Sequence, residues 1–341
     1  MIQERVCHIH AGTHKTASTY IQSRLKRNQS FLRRHNLLYP PLRRHHLVLA
    51  NALRKGEMGP WIRLLQSAMR TGREPLVSAE IFAELLHQPA PWAQSQLSAA
   101  GSTLFSNLAS FLEKHNMRLH LVVFVRDQPA YLNSRYTQLI KRFYFDLPFD
   151  RYVRRTISRG GKGECDYETL FGEALAHPAV DLSVLPFRSG EADPCDRLLK
   201  VVGVPNLQQL PPLQKRSNTQ PGWKTVWLAR HLGQRLRDSD PVAWRDRRLK
   251  ARLRKALDQL AIEQGWPAEP YQGLDAELLA SLEHRYAASN ERFAERVWGC
   301  SWREMFPSSQ PRQSPQAPRS PDERRQLQLQ AERLLDQVLN R

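Results

Sequence analysis

The chain has 341 residues, and 51 Lys and Arg against 33 Asp and Glu give it a net charge of +18. Hydrophobic residues make up 41% of it, enough for the core of one large domain or two small ones and too many for a wholly disordered protein. The charge favours an anionic partner (a nucleotide, nucleic acid, an acidic glycan or a membrane surface) without choosing among them.

Met1-Ile2-Gln3-Glu4-Arg5 has no apolar signal core, so a cleaved export signal is not expected. Val6–His10 reads as a short strand, and Ala11–Thr19 as a small-residue loop. Ile21, Leu25 and Leu32 then recur at near-helical spacing. Strand, loop and helix in that order form an anion cradle, because a helix N-terminus offers unpaired N–H groups and the positive end of its dipole.

Leu37–Tyr39 and Pro75–Ser78 are further short strand candidates. Leu119–Val125 is the clearest, a continuous β-branched run of the kind a buried parallel strand requires. Its apolar part is far shorter than the ~20 residues of a membrane span. Val180–Phe187 reads as another strand. Helical patterns lie at Gln94–His115, Pro129–Phe145 and Pro194–Val202. The alternation implies an α/β fold with a P-loop-like, mainly parallel sheet flanked by helices.

From about residue 212 the pattern turns helical. Leu249, Leu253, Leu257 and Leu260 share a face, and Leu279, Leu282, Tyr286, Phe293 and Val297 form a second stripe with Asn290 beside it. Residues 307–320 are rich in Pro, Ser, Gln and Arg, the composition of a flexible linker. The domain reading is therefore an α/β domain over 1–306, a linker, and an amphipathic helix over 321–341. Ser320, Pro321 and Glu323 start that last helix as a capping box. Its seam is too short to decide between dimerisation, docking on its own domain and binding a partner. Cys7, Cys165, Cys195 and Cys300 lie far apart, so neither a disulfide framework nor a zinc site is expected, and the chain reads as cytoplasmic with reduced thiols.

Two loops carry the chemistry. Gly12 is followed by Thr13-His14-Lys15-Thr16 and lacks the Gly-Lys-Ser/Thr ending of a nucleoside-triphosphate loop. It keeps one lysine, and Thr16, Ser18 and Thr19 open the helix with hydroxyls; an ordinary Ser/Thr-capped helix start remains the alternative. The second site is Phe124-Val125-Arg126-Asp127-Gln128-Pro129, where a buried strand runs into a helix that carries Ser134. An arginine there lies at the carboxyl end of a parallel strand, where open α/β sheets bind ligands. Its alternative is a pairing with Asp127 or a helix end.

With these two motifs in this order, the chain resembles the sulfotransferases that use 3'-phosphoadenosine 5'-phosphosulfate (PAPS), over about residues 5 to 300. His14-Lys15-Thr16-Ala17-Ser18-Thr19 is similar to the family's 5'-phosphosulfate loop, in a His-Lys-Thr form similar to bacterial members. Arg126 and Ser134, eight apart, are similar to its 3'-phosphate motif. Ala17 stands where many members have Gly and Ser18 where Thr is usual; an Ala fits there only at negative φ. The resemblance implies in-line transfer of the sulfuryl group to an acceptor hydroxyl or amine, with Lys15 following charge on the bridging oxygen. It implies a carbohydrate or glycolipid acceptor, no metal and no nucleic-acid partner.

Glu80, in Val77-Ser78-Ala79-Glu80, is the candidate base, with helix capping as its alternative role; His45 and His46 are alternative bases in a Pro-rich loop. Arg216, in Lys215-Arg216-Ser217-Asn218, loosely resembles the basic loop that closes over the 3'-phosphate. The basic runs at 151–162 and 245–254 read as solvated helix faces or as an acceptor surface for an acidic glycan or lipid headgroup. A P-loop kinase-like phosphotransferase and a non-catalytic nucleic-acid-binding protein are the rival functions. The first would need Asp127 as its metal-binding acid; the second rests on charge alone.

Overall fold

Every predicted strand forms. β1 (Arg5–His10), β2 (Leu37–Leu38), β3 (Glu74–Ser78), β4 (Met117–Val125) and β5 (Val180–Pro186) make one open sheet in the order β2-β3-β1-β4-β5, with all pairs parallel. The computed structural model describes residues 5–90, 103–158, 165–211, 213, 220–308 and 313–339. Parallel strands need crossovers, and helices supply them.

In chain order these helices are α1 (Ser18–Arg27), α2 (Gln29–Arg34), α3 (Arg43–Lys55), α4 (Gly59–Thr71), α5 (Ile81–Leu85) and α6 (Leu104–Glu113). There follow α7 (Gln128–Lys141), α8 (Phe149–Ser158), α9 (Tyr167–Ala176) and α10 (Pro194–Val201). The helical C-terminal part holds α11 (Trp223–Ser239), α12 (Arg247–Glu263), α13 (Ala276–Trp298), α14 (Trp302–Met305) and α15 (Pro321–Leu339). Several start on side-chain caps that can be read in the sequence. Asp193 accepts from the Cys195 N–H at 2.8 Å, and Asp246 from the Arg248 N–H at 2.7 Å. At α15, Ser320 accepts from the Glu323 N–H at 3.1 Å, while Glu323 reaches back to the Arg319 N–H at 2.7 Å instead of to Ser320.

The chain divides into two compact units that do not follow its linear order. The first comprises residues 1–127, 161–216 and 286–307, and the second 128–160, 217–285 and 308–341. In the first unit both faces of the sheet are covered, as a parallel sheet demands. Leu119, Leu121, Val123 and Val125 of β4 face one core with Ile9, Val77, Trp61 and Phe82. Val122 and Phe124, one residue out of phase, face the other with Leu76, Ile21, Leu25 and Leu198.

A polar row crosses this sheet. Glu74 on β3 bonds His8 on β1 at 3.3 Å, His8 bonds His120 on β4 at 2.9 Å, and His120 bonds Ser183 on β5 at 2.9 Å. Each buried polar side chain thus finds its partner on the adjacent strand.

The second unit is helical. Leu327, Ala331, Leu334 and Val338 of α15 are buried against α11 and α12. Lys224 pairs with Glu323 and Arg235 with Glu332, both at 3.0 Å. The terminal helix therefore docks on its own unit. Residues 313–320 do not behave as a free linker: Ser314 donates its N–H to the Gln272 carbonyl at 2.9 Å, and Tyr271 donates its hydroxyl to Gln316 at 2.6 Å. Among the described residues no helix is long and apolar enough to cross a membrane.

Burial lowers the His120 imidazole to about 4, with the His8 charge acting in the same direction. An unfolded histidine titrates near 6.5, so between these values the unfolded chain binds a proton that the folded chain refuses. The stabilisation is complete above about pH 6.5 and is lost as pH falls toward 4. The unfolding free energy from urea titration should fall between pH 7 and pH 5, by about 2 kcal/mol for this one group. His120→Asn should make that fall shallower; an unchanged slope would show that another group dominates.

Candidate functional site

β1 is central in the first unit, with β3 on one side and β4 on the other. The loop after it is tied to both neighbours at their carboxyl ends. The Ala11 N–H donates to Val122 O at 3.0 Å, the Ala79 N–H donates to His10 O at 3.2 Å, and the Thr13 hydroxyl donates to Phe124 O at 2.8 Å. Thr16 donates its hydroxyl to Thr13 O at 2.6 Å, so its proton serves the loop itself. Thr13, Thr16 and Ser18 are all buried, Lys15 is half-buried and Thr19 is exposed.

The backbone of this loop departs from expectation. Ala17 has φ 59° and ψ 17°, the left-handed conformation, and Lys15 has φ 69°. Left-handed residues alternating with a residue outside that region turn successive N–H groups toward one side, the arrangement of anion-binding nests. Ala17 therefore occupies a position with the geometry of glycine, at a cost of about 1 kcal/mol. α1 begins there without a side-chain cap, so its first N–H groups have no partner from that source.

Gly12 is required for a different reason. A Cβ at this position would stand 2.5 Å from Ser18 Oγ, 3.0 Å from His10 Nε2 and 3.3 Å from Thr16 Oγ1. Two of those atoms, Ser18 Oγ and His10 Nε2, are buried polar groups without a hydrogen-bond partner. His10 is the last residue of β1, and its Nδ1 lies 2.8 Å from Ser78 Oγ at the end of β3. Burial lowers this imidazole to about 4 against the opposing effect of Glu80, which keeps it neutral at pH 7. Sequence reasoning passed over His10 as part of a strand; the available signal was a polar residue just before the Gly12 turn.

The histidines expected in a Pro-rich loop lie on α3 instead. His46 is buried, accepts from the Ser78 N–H at 3.2 Å through Nδ1, and so carries its proton on Nε2, 3.0 Å from Pro40 O. Burial lowers it to about 4. This is a structural histidine supporting the end of β3, not a solvated base.

Glu80 precedes α5 but makes no side-chain cap. Its carboxylate lies 3.3 Å from His14 Nδ1, and His14 Nε2 bonds Glu84. Only a doubly protonated imidazole can donate to both. Glu84 had been overlooked, although its i, i+4 relation to Glu80 was available as a signal. His14, Lys15, Glu80 and Glu84 thus gather at the mouth of the loop.

Arg126 follows the last residue of β4. Tyr167 donates its hydroxyl to the Arg126 carbonyl at 2.6 Å, and the guanidinium stands 6.0 Å from the centre of the Phe187 ring. Its guanidinium forms no ion pair within 4.0 Å among the described residues, although the charge of the adjacent Asp127 acts on it. Desolvation lowers its pKa, against Asp127 and Tyr167. Arg126 is half-buried, whereas the fully buried Arg24 is compensated: its Nη1 lies 2.6 Å from Asp193 and 2.9 Å from Asp196. Ser134 is half-buried on α7 in the second unit, where its carbonyl accepts from Thr137 at 3.0 Å. Arg216 and its neighbours 215–218 lie outside the described residues. No group of His, Cys, Asp and Glu side chains among the described residues is arranged to hold a metal ion.

No protein-family model matches the chain, and comparisons with curated proteins and with solved structures also found no match.

Glycine at a left-handed position relieves strain. Ala17→Gly should raise the unfolding free energy by roughly 1 kcal/mol, and Ala17→Val should lower it by at least as much. Chemical unfolding of the three proteins checks this; a destabilised Ala17→Gly would contradict the loop conformation.

Proposed function

We propose that the chain is a PAPS-dependent sulfotransferase built on a P-loop-like sheet. The observation that carries this reading is the half-buried Arg126 guanidinium, which feels the Asp127 charge but forms no ion pair among the described residues, and which lies one strand from a left-handed loop with a buried, unpartnered Ser18 hydroxyl. Desolvation of this cation outweighs the attraction of Asp127, and an anionic ligand would offset the remainder.

Bound there, PAPS would supply an activated sulfuryl group. His14-Lys15-Thr16-Ala17-Ser18-Thr19 would hold the phosphosulfate end through backbone N–H groups, the Ser18 hydroxyl and the Lys15 ammonium. Arg126 would hold the 3'-phosphate, with Ser134 and Arg216 assigned to it by the resemblance alone. Lys15 would offset charge on the bridging oxygen. Glu80 would take the proton of the acceptor hydroxyl or amine, with His14 steadying its carboxylate. The acceptor class proposed is a carbohydrate or glycolipid.

Thermal unfolding with added nucleotide tests the reading. 3',5'-ADP at a hundredfold excess over its Kd should stabilise the protein by about 2.7 kcal/mol. Arg126→Ala should weaken this nucleotide by roughly 10- to 100-fold. Lys15→Ala and Glu80→Gln should each abolish transfer from labelled PAPS in an acceptor screen. Stabilisation by Mg-ATP with none by 3',5'-ADP would replace this reading with the phosphotransferase one.

A further inference from the structure

The largest share of charge not used by the cradle lies on α12 of the second unit. The buried stripe of this helix is Leu249, Leu253, Leu257 and Ala261. On the opposite side, Arg248, Arg252 and Lys255 recur at i, i+4 and i+7 and are exposed, with Arg245 and Arg247 exposed just before them. None of these five has an acidic partner among the described residues; only Arg254 of the run reaches a carboxylate, Asp258 at 3.7 Å. Two aliphatic residues bracket the row. Ile262, two turns beyond Lys255 on the same side, is 68% exposed, and Val242, in the turn before the helix, is 80% exposed.

That turn is rigid. The Asp240 carboxylate accepts the N–H groups of Val242 and Ala243 at 3.0 and 2.9 Å, and Lys250 lies 3.7 Å over the Trp244 ring. Val242 stands exposed in this hydrogen-bonded turn. Tyr144, with its ring 5.9 Å from the same Lys250, is 59% exposed.

We infer that the α12 face from Val242 to Ile262 docks on the surface of an anionic lipid bilayer. An amphipathic helix binds an interface when cations meet the headgroups and apolar residues enter the boundary beneath them. The unpaired cations supply the first contact, and Val242 and Ile262 the second. Nucleic acid would use the cations, but its phosphate backbone offers no apolar contact to exposed aliphatic side chains that flank them, so a lipid surface is the better fit. Docking requires no bound nucleotide, so this surface and the PAPS reading can fail separately.

The test is co-sedimentation of the full chain with phosphatidylcholine vesicles, with and without about one third phosphatidylglycerol. The protein should bind the anionic vesicles at least tenfold more tightly and be released as salt rises. Arg248→Glu with Arg252→Glu should remove binding. Val242→Asp with Ile262→Asp should weaken it about tenfold while the far-UV circular dichroism stays unchanged. The proposal is overturned by equal binding to both vesicles, by no binding to either, or by an aspartate pair that binds like wild type. Binding of single- or double-stranded DNA that the aspartate pair leaves unaltered, with no vesicle binding, would assign the face to nucleic acid instead.

Discussion

The central place of β1 in the parallel ladder is the constraint on which the candidate site depends. A strand flanked by β3 and β4 must deliver its following loop between their carboxyl ends. Three bonds fix that outcome at the strand ends: Ala11 to Val122, Ala79 to His10, and Thr13 to Phe124. Residues 12–17, Glu80 and Arg126 are therefore neighbours because of topology, although they are more than a hundred positions apart in sequence at the extremes. Chain reversal at the β1 loop falls in one direction and the later strands are added in the other, which is where an open α/β sheet leaves a crevice.

Polar groups inside this sheet are arranged by register. Glu74, His8, His120 and Ser183 form one row across the sheet, and each has a partner. Ser78 and His10 form a second pairing at the carboxyl ends, supported by His46. The two rows differ in one respect: the second ends on His10 Nε2, which has no partner, beside Ser18 Oγ, which has none either. Buried polar atoms in native proteins are normally satisfied. Such exceptions occur elsewhere in the chain too, at Thr225 and Gln330 for instance, but these two stand side by side at the loop that the sequence motif singles out.

The sheet was legible because its strands are short β-branched runs between helical spacings, and burial on both faces leaves little room for another reading of Leu119–Val125. The helix α3 was not, since Pro40-Pro41 followed by two histidines has the composition of a loop; burial of His46 against β3 decides the matter and is a tertiary effect. The conformation of Ala17 was misjudged because alanine is a poor indicator of positive φ, and the strand-to-helix geometry overrides that preference. The stretch before α15 looked like a linker by composition. Its Gln and Ser side chains instead substitute for a sheet partner along Tyr271–Gly273, which composition cannot reveal. Nor could the second unit be seen, as three separated segments build it.

Charge separates the cations into three physical classes. Arg24 is buried and compensated by two carboxylates and the carbonyls of Leu210 and Pro211, the pattern of an arginine that holds a fold together. Arg126 is half-buried beside Phe187, feels the Asp127 charge and has none of these ion pairs, the pattern that the proposed anion site would use. The row on α12 is exposed, where solvent makes an isolated cation nearly free of cost, but like charges at i, i+4 on one helix repel. Arg248 and Arg252 therefore work weakly against the helix that carries them, although Asp246 at its start and the leucine stripe beneath hold it. A sequence gains nothing for its fold from that repulsion, which the proposed anionic surface would turn into attraction.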